Sequence, residues 1–169
     1  MEIILAQGKQ PLARAIQQAV GYKYSHAALR YTHSQWMIHS SIGGVQPEWW
    51  YHFQKRYGNI RRYNCLFDCA DKAAENLVKQ IGHKQYAYTT LIGSGLVLAF
   101  DTLGIHIKNP FKSNNAFFCT KVILHFFKKC NELDSSLKLK EYISEALTPK
   151  DIGEYLDENP NFVLINPSV

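Results

Sequence analysis

Runs of like charge are missing from this chain. Its 19 Lys and Arg against 14 Asp and Glu leave a net charge of +5, dispersed as Arg61-Arg62, Lys121, Lys128-Lys129 and the Lys138/Lys140 pair. So mild a surplus, with no recognition motif beside it, describes a solvated surface, and no nucleic-acid partner is expected. Cysteine is scarce as well. Cys65, Cys69, Cys119 and Cys130 lack the dense spacing of a disulfide scaffold, and a chain of 169 residues needs no such staple, so a reducing compartment is favoured. No apolar run reaches the ~20 residues of a spanning helix. The most apolar stretch, Leu91 to Phe100, is broken by Gly93-Ser94-Gly95 and closed by Asp101, which fits a buried helix or a wall beside a site. The first residues lack the basic and apolar regions of a signal peptide, so cytoplasmic synthesis and retention are expected.

Cofactor motifs are absent too. There is no Gly-x-Gly-x-x-Gly or Walker-type loop, and Gly93-Ser94-Gly95 lacks the following glycine and lysine, so no nucleotide cofactor is indicated. Ile92-Gly93-Ser94-Gly95-Leu96 does not have the spacing of a serine-hydrolase elbow. Cys65-x-x-x-Cys69 has no second close pair of Cys or His to complete a zinc set. The expectation is a protein without metal or cofactor.

What the chain does have is core material: 46% apolar residues and 13% aromatics, enough for one domain over residues 1–169. Glu2 to Ala6 has the apolar run of a buried strand. Leu12, Ala13, Ile16, Ala19 and Val20, opened by Pro11 and closed by Gly21, form an amphipathic helix. Tyr24 to Tyr31 and Trp36 to Ile42 make a β-hairpin around Thr32-His33-Ser34-Gln35, broken after its second strand by Gly43-Gly44. Asn59 to Tyr63 is a further strand, and Asp71 to Ile81 a helix stopped by Gly82. Ala116 to Cys130 carries Phe118, Val122, Ile123, Phe126, Phe127 and Cys130 on one helical stripe, behind the cap candidates Ser113-Asn114-Asn115. Thr148-Pro149 opens a last helix through Leu156, and Phe162 to Ile165 adds a strand. The fold class is α+β, a small antiparallel sheet packed against helices.

Chemistry concentrates at one thiol and two imidazoles. Cys119 falls in the first or second turn of the strongest helix, where unpaired N–H groups and the helix dipole lower a thiol pKa and can bind an oxyanion. A packed core cysteine is the alternative role. For a base, the hairpin offers His26 and His39. A turn centred between Thr32 and His33 sets them directly opposite one another. A turn centred on His33-Ser34 sets His26 opposite Ser41 and His39 diagonally beside His26, still on the same face. Either register favours a contact in which His39 orients His26. His33 falls in the turn, His52, His83 and His106 have no partner pattern, and His125 points away from the sulfur by helical geometry.

The order Glu2-Ile3-Ile4-Leu5, Tyr24-Ser25-His26-Ala27-Ala28-Leu29, Gly43-Gly44-Val45, Gly82 to Tyr86, then Phe118-Cys119-Thr120-Lys121-Val122 resembles the circularly permuted NlpC-type papain-like superfamily, in its YiiX-like branch with the lecithin:retinol acyltransferase relatives. The resemblance spans residues 2 to 165 and implies a papain-like fold in which Cys119 is the nucleophile and His26 the base. His39 stands where YiiX-like proteins usually have Glu and is similar to the second histidine of the acyltransferases. Cys119-Thr120-Lys121 departs from the Cys-Ser-Glu of YiiX-like proteins and from the acyltransferases' Asn-Cys-Glu-His. Tyr86 looks like a site-lining tyrosine, and Tyr24 is a second candidate for lining or oxyanion contact. A bacterial or phage origin is implied by the resemblance alone.

The thiol and imidazoles point to a thiol hydrolase cleaving an amide or ester, and the resemblance implies a peptidoglycan-type peptide, or an acyl group on lipid or protein, as its substrate. The Cys119 helix is expected to aim its N-terminus at the His26/His39 face of the sheet. The other reading, motivated by Thr120-Lys121, is a degenerate binding module on the same scaffold, with Trp49-Trp50-Tyr51 contacting a protein partner.

Overall fold

The computed structural model of the chain describes residues 1–41, 44–81, 119–139 and 148–165. Strand β1 (Glu2–Gly8) buries Ile3, Ile4, Leu5 and Ala6 completely, as its unbroken apolar run requires. Helix α1 (Pro11–Val20) begins on its proline and ends at Gly21, whose φ of 61° is left-handed and whose cap sends backbone N–H groups to the carbonyls of Gln17 and Gln18. Next come β2 (His26–Arg30) and β3 (Trp36–Ser41), the expected hairpin, and then β4 (Gly44–Trp49), α2 (Trp50–Arg56) and β5 (Tyr57–Cys65). Helices α3 (Ala70–Ile81), α4 (Cys119–Leu133) and α5 (Pro149–Glu158) precede β6 (Phe162–Ile165). Thr148 and Asp151 close a reciprocal capping box at the start of α5.

The six strands form one antiparallel sheet in the order β4-β3-β2-β1-β5-β6, so the fold is α+β. Alternation along the strands sorts side chains onto two faces. One face presents Ile3, Leu5, Ala27, Leu29, Ile38 and Tyr63 to the apolar sides of α3, α4 and α5, including Leu77, Ile123, Phe126, Phe127 and Leu156. The other presents Ile4, Ala6, Ala28 and Met37 to Trp50 and Phe53 of α2. Among the described residues no helix is long and apolar enough to cross a membrane.

β4 and α2 are additions to the sequence expectation. Pro47 stands within β4, where it is tolerated because β4 is an edge strand pairing with β3 alone. The cap of α2 is Trp49, which supplies no side-chain hydrogen bond. The hairpin adopts the second of the two registers: Ala28 stands opposite His39, which makes His26 and His39 diagonal neighbours on one face. The expected N-cap cluster Ser113-Asn114-Asn115, Tyr86, Gly82 and the apolar stretch from Leu91 lie outside the described residues.

Candidate active site

His26 is the first residue of β2, and its side chain lies on the α2 face of the sheet beside Ala6, its partner across β1. The ring is 7% exposed and sits in an aromatic box. Tyr57 stacks on it with centroids 4.9 Å apart and planes 12° from parallel, Phe53 lies at 5.9 Å, and His39 meets it edge-on at 5.4 Å. His26 Nε2 and His39 Nδ1 are 3.2 Å apart, a hydrogen bond in which one nitrogen carries the proton and the other accepts. His39 itself is fully buried.

The polar chain continues beyond the two histidines. Across β3 and β4, His39 stands opposite Gln46, and Glu48 is its diagonal neighbour on the same face. Glu48 Oε2 lies 3.1 Å from His39 Nε2, and the other carboxylate oxygen accepts from Arg56 Nη2 at 2.5 Å. The side chain of Glu48 is 10% exposed and that of Arg56 is 45% exposed, so the row of groups runs from a buried imidazole outward to a solvated guanidinium. Burial works to raise the Glu48 carboxyl, but His39, Arg56 and His52 outweigh it and hold it below the usual carboxylate value.

Cys119 opens α4 as described, is 7% exposed, and belongs to the core on the opposite face of the sheet, against β2. The apolar stripe of α4, with Val122, Ile123, Phe126 and Phe127, is buried in the large core beside Ala27 and Leu29, and this packing carries Cys119 with it. The sulfur comes to the start of β2, where the backbone amide of Ala27, the residue after His26, faces it. Tyr57, the ring stacked on His26, is close enough that charge on Cys119 would raise its phenol. Together with burial, the larger cause, this pushes Tyr57 up to about 12. The structure thus joins His26 to His39 and sets Cys119 beside the next residue along. Among the described residues no hydrogen bond links the thiol to either imidazole.

Protonation differs from the sequence expectation for the same reason. The amides of Ala27, Thr120 and Cys119 do pull the thiol pKa down, but burial outweighs them and the net shift is upward. Burial, then the neighbouring His39 and Arg56, hold His26 well below an ordinary imidazole. Thiol and imidazole therefore rest in their neutral forms at neutral pH.

Tyr24 packs half-buried against the main core and edge-on to Tyr22, at 5.4 Å between centroids. The ring that covers the base is Tyr57. Sequence reasoning missed Glu48, Phe53, Arg56 and Tyr57. The signal was available: reading Gly43-Gly44 as a second hairpin turn would have folded Val45 to Trp49 back along β3 and placed Glu48 on the His39 face.

No family model matches the sequence, and no curated protein matches it. Among solved structures the chain is similar to the crystal structure of metalloprotein YiiX from Escherichia coli O157:H7, with a TM-score of 0.63 and 11% identity, covering 99% of this chain and 96% of that one. The residues described here do not fit a metal site. No group of three or more His, Cys, Asp or Glu side chains among them is placed to hold an ion, and His26, His39 and Glu48 stand in series rather than converging on a point. At this level of identity the likeness is one of architecture, and the chain shares the YiiX-like α+β fold.

Proposed function

We propose that the chain is a thiol hydrolase, cleaving an amide or ester bond with Cys119 as nucleophile, His26 as base and then acid, and His39 as the group that holds His26. The observation that carries this reading is the buried imidazole pair. His26 Nε2 is taken up by His39 at 3.2 Å, which leaves Nδ1 for a proton in flight, and the thiol is lodged against the adjacent residue, Ala27. A buried His26, boxed by Phe53 and Tyr57 and anchored by His39 at one nitrogen, has the organisation of a general base rather than that of a packing residue.

With both groups neutral at rest, deprotonation accompanies attack. The sulfur bonds to the carbonyl carbon, the carbonyl π pair moves to oxygen, and the thiol proton passes to His26. The imidazolium then protonates the departing amine or alkoxide as the carbonyl re-forms, and water, deprotonated by His26, resolves the thioester. In this reading the oxyanion is received by the amides of Cys119 and Thr120, which face the sulfur. Likeness to YiiX supports the architecture, and the peptide, lipid or acylated-protein substrate class rests on the sequence resemblance.

Hydrolysis of a panel of p-nitrophenyl acyl esters and peptide p-nitroanilides tests this. Cys119→Ala abolishes turnover, and His26→Ala lowers it by about 10²- to 10⁴-fold. Turnover that survives Cys119→Ala refutes the proposal. The raised thiol and lowered imidazole favour a second reading, a catalytically silent binding module on the same scaffold, which predicts no turnover on any member of the panel.

A further inference from the structure

We propose that Glu48 is a positioning residue that decides which nitrogen of His26 carries the proton. This rests on the assignment of His26 as the base, and it adds a member that lies on a different strand from either histidine. Among the described residues, His39 Nε2 and Glu48 Oε2 are the buried side-chain polar atoms that lack a well-aligned hydrogen bond, and they face each other at 3.1 Å. Neither has another partner of good geometry, so each is the other's means of escaping the cost of a stranded polar group.

The proton inventory follows from what each group can do. A carboxylate only accepts, so the nitrogen of His39 that faces it, Nε2, is the protonated one. With His39 in its neutral form, the single N–H is the one on Nε2, which leaves Nδ1 bare. The 3.2 Å bond is then donated by His26 Nε2–H to His39 Nδ1. His26 in turn has spent its single proton on Nε2, and its Nδ1 presents a lone pair. One negative charge on β4 is transmitted through two rings into a basic nitrogen on β2. Without it, His26 is free to adopt the other tautomer, with Nδ1 protonated and unable to take a proton from the thiol.

Arg56 completes the device from α2 by binding the second oxygen of Glu48, which keeps the carboxylate ionised and its other oxygen turned to His39. Among the described residues, the other titratable groups near the relay are His52 on the same helix, Tyr57 on β5 and Cys119 on α4. Tyr57, pushed up to about 12, stays neutral at physiological pH, and so does the raised thiol. Glu48 is therefore the negative charge that faces the relay. This also accounts for a histidine at the third position: His39 hands the task of the acid to Glu48, one strand further out.

Side-chain ¹H–¹⁵N correlation spectra of the histidines at pH 7.5 test the proposal without any substrate, with His26 and His39 assigned by His26→Gln and His39→Gln. The wild type is expected to show protonated Nε2 and bare Nδ1 on both rings. In Glu48→Gln, which keeps the size of the side chain and guards against misfolding, and in Glu48→Ala, both rings shift to a mixture of tautomers. Where turnover is measurable, kcat falls by about 10²-fold or more with KM unchanged. A wild-type His26 with Nδ1 protonated, or tautomer populations identical in all three proteins, overturns the proposal. Absence of turnover in the wild type would strike the hydrolase assignment and leave the spectra to judge Glu48 alone.

Discussion

Glu2 lies 3% exposed on β1 and is gripped from both sides. Arg30 Nη1 donates to Oε2 at 3.2 Å, and Arg62 donates from Nε to Oε2 at 3.0 Å and from Nη2 to Oε1 at 2.8 Å. Replacing Glu2 with Gln keeps the volume but turns one acceptor into a donor facing guanidinium donors, and leaves two positive charges uncompensated across the sheet. Removing one partner of a buried ion pair costs about 3–5 kcal/mol. The side chain of Arg62 is 32% exposed and recovers some hydration, so about 3 kcal/mol is expected. The loss also depends on pH in a defined way. Burial tends to raise the Glu2 carboxyl, but Arg62 and Arg30 outweigh it and hold it below the ordinary 4.5. Between that native value and 4.5 the unfolded chain binds the extra proton. The advantage of the wild type is therefore complete above about 4.5 and drains away as pH falls through the native value. Urea unfolding followed by tryptophan fluorescence provides the assay, since Trp50 lies 4.6 Å from the Arg30 guanidinium. Wild type and Glu2→Gln should differ by about 3 kcal/mol at pH 7 and converge as pH falls below about 4.5 and through the lowered native value. A difference under about 1 kcal/mol at pH 7, or one that does not change with pH, refutes the clamp.

Two further perturbations probe the site and its frame. His26 is held below the ordinary 6.5 by burial first, so the unfolded chain gains a proton that the native one resists. Its contribution is complete above about 6.5 and is lost as pH falls below it, at up to about 1.4 kcal/mol per pH unit. His26→Gln flattens this slope in unfolding curves between pH 6.5 and 5, whereas an unchanged slope contradicts the burial argument. On α5, a Cβ at Gly153 would stand 2.2 Å from Tyr22 Oη and 3.1 Å from Leu5 Cδ1. Gly153→Ala is thus expected to lower stability by about 1–2 kcal/mol, overpacking outweighing the gain in helix propensity, with partial recovery in the double variant with Tyr22→Phe. Stabilisation by the single change contradicts the close approach.

Much of this molecule is legible in its sequence, and the part that is not has physical causes. β1 declares itself by four successive apolar residues, the hairpin by alternation around Thr32-His33-Ser34-Gln35, and α5 by Thr148-Pro149. The pairing of His26 with His39 follows from hairpin arithmetic in either register, and the side chains bridge the diagonal that the chain adopts. β4 and α2 escape because their local signals are weak. Pro47 argues against a strand unless that strand is known to be an edge, and α2 has 7 residues with neither a polar cap nor room for a helical period. Losing those two elements loses Glu48, Phe53 and Arg56 with them. The protonation state of Cys119 escapes for another reason. A position at the start of a helix can be read from sequence, but the burial that overrides it comes from α4 settling into a core built by distant strands.

The central claim is that Cys119 forms a covalent acyl intermediate. Intact-mass measurement of the protein quenched in acid during turnover of the best ester in the panel tests it most directly. The account predicts a mass increase equal to the acyl group, mapped to the Cys119 peptide, reversed by hydroxylamine and absent in Cys119→Ala. An unmodified Cys119 during active turnover, or the same adduct persisting in Cys119→Ala, would contradict it.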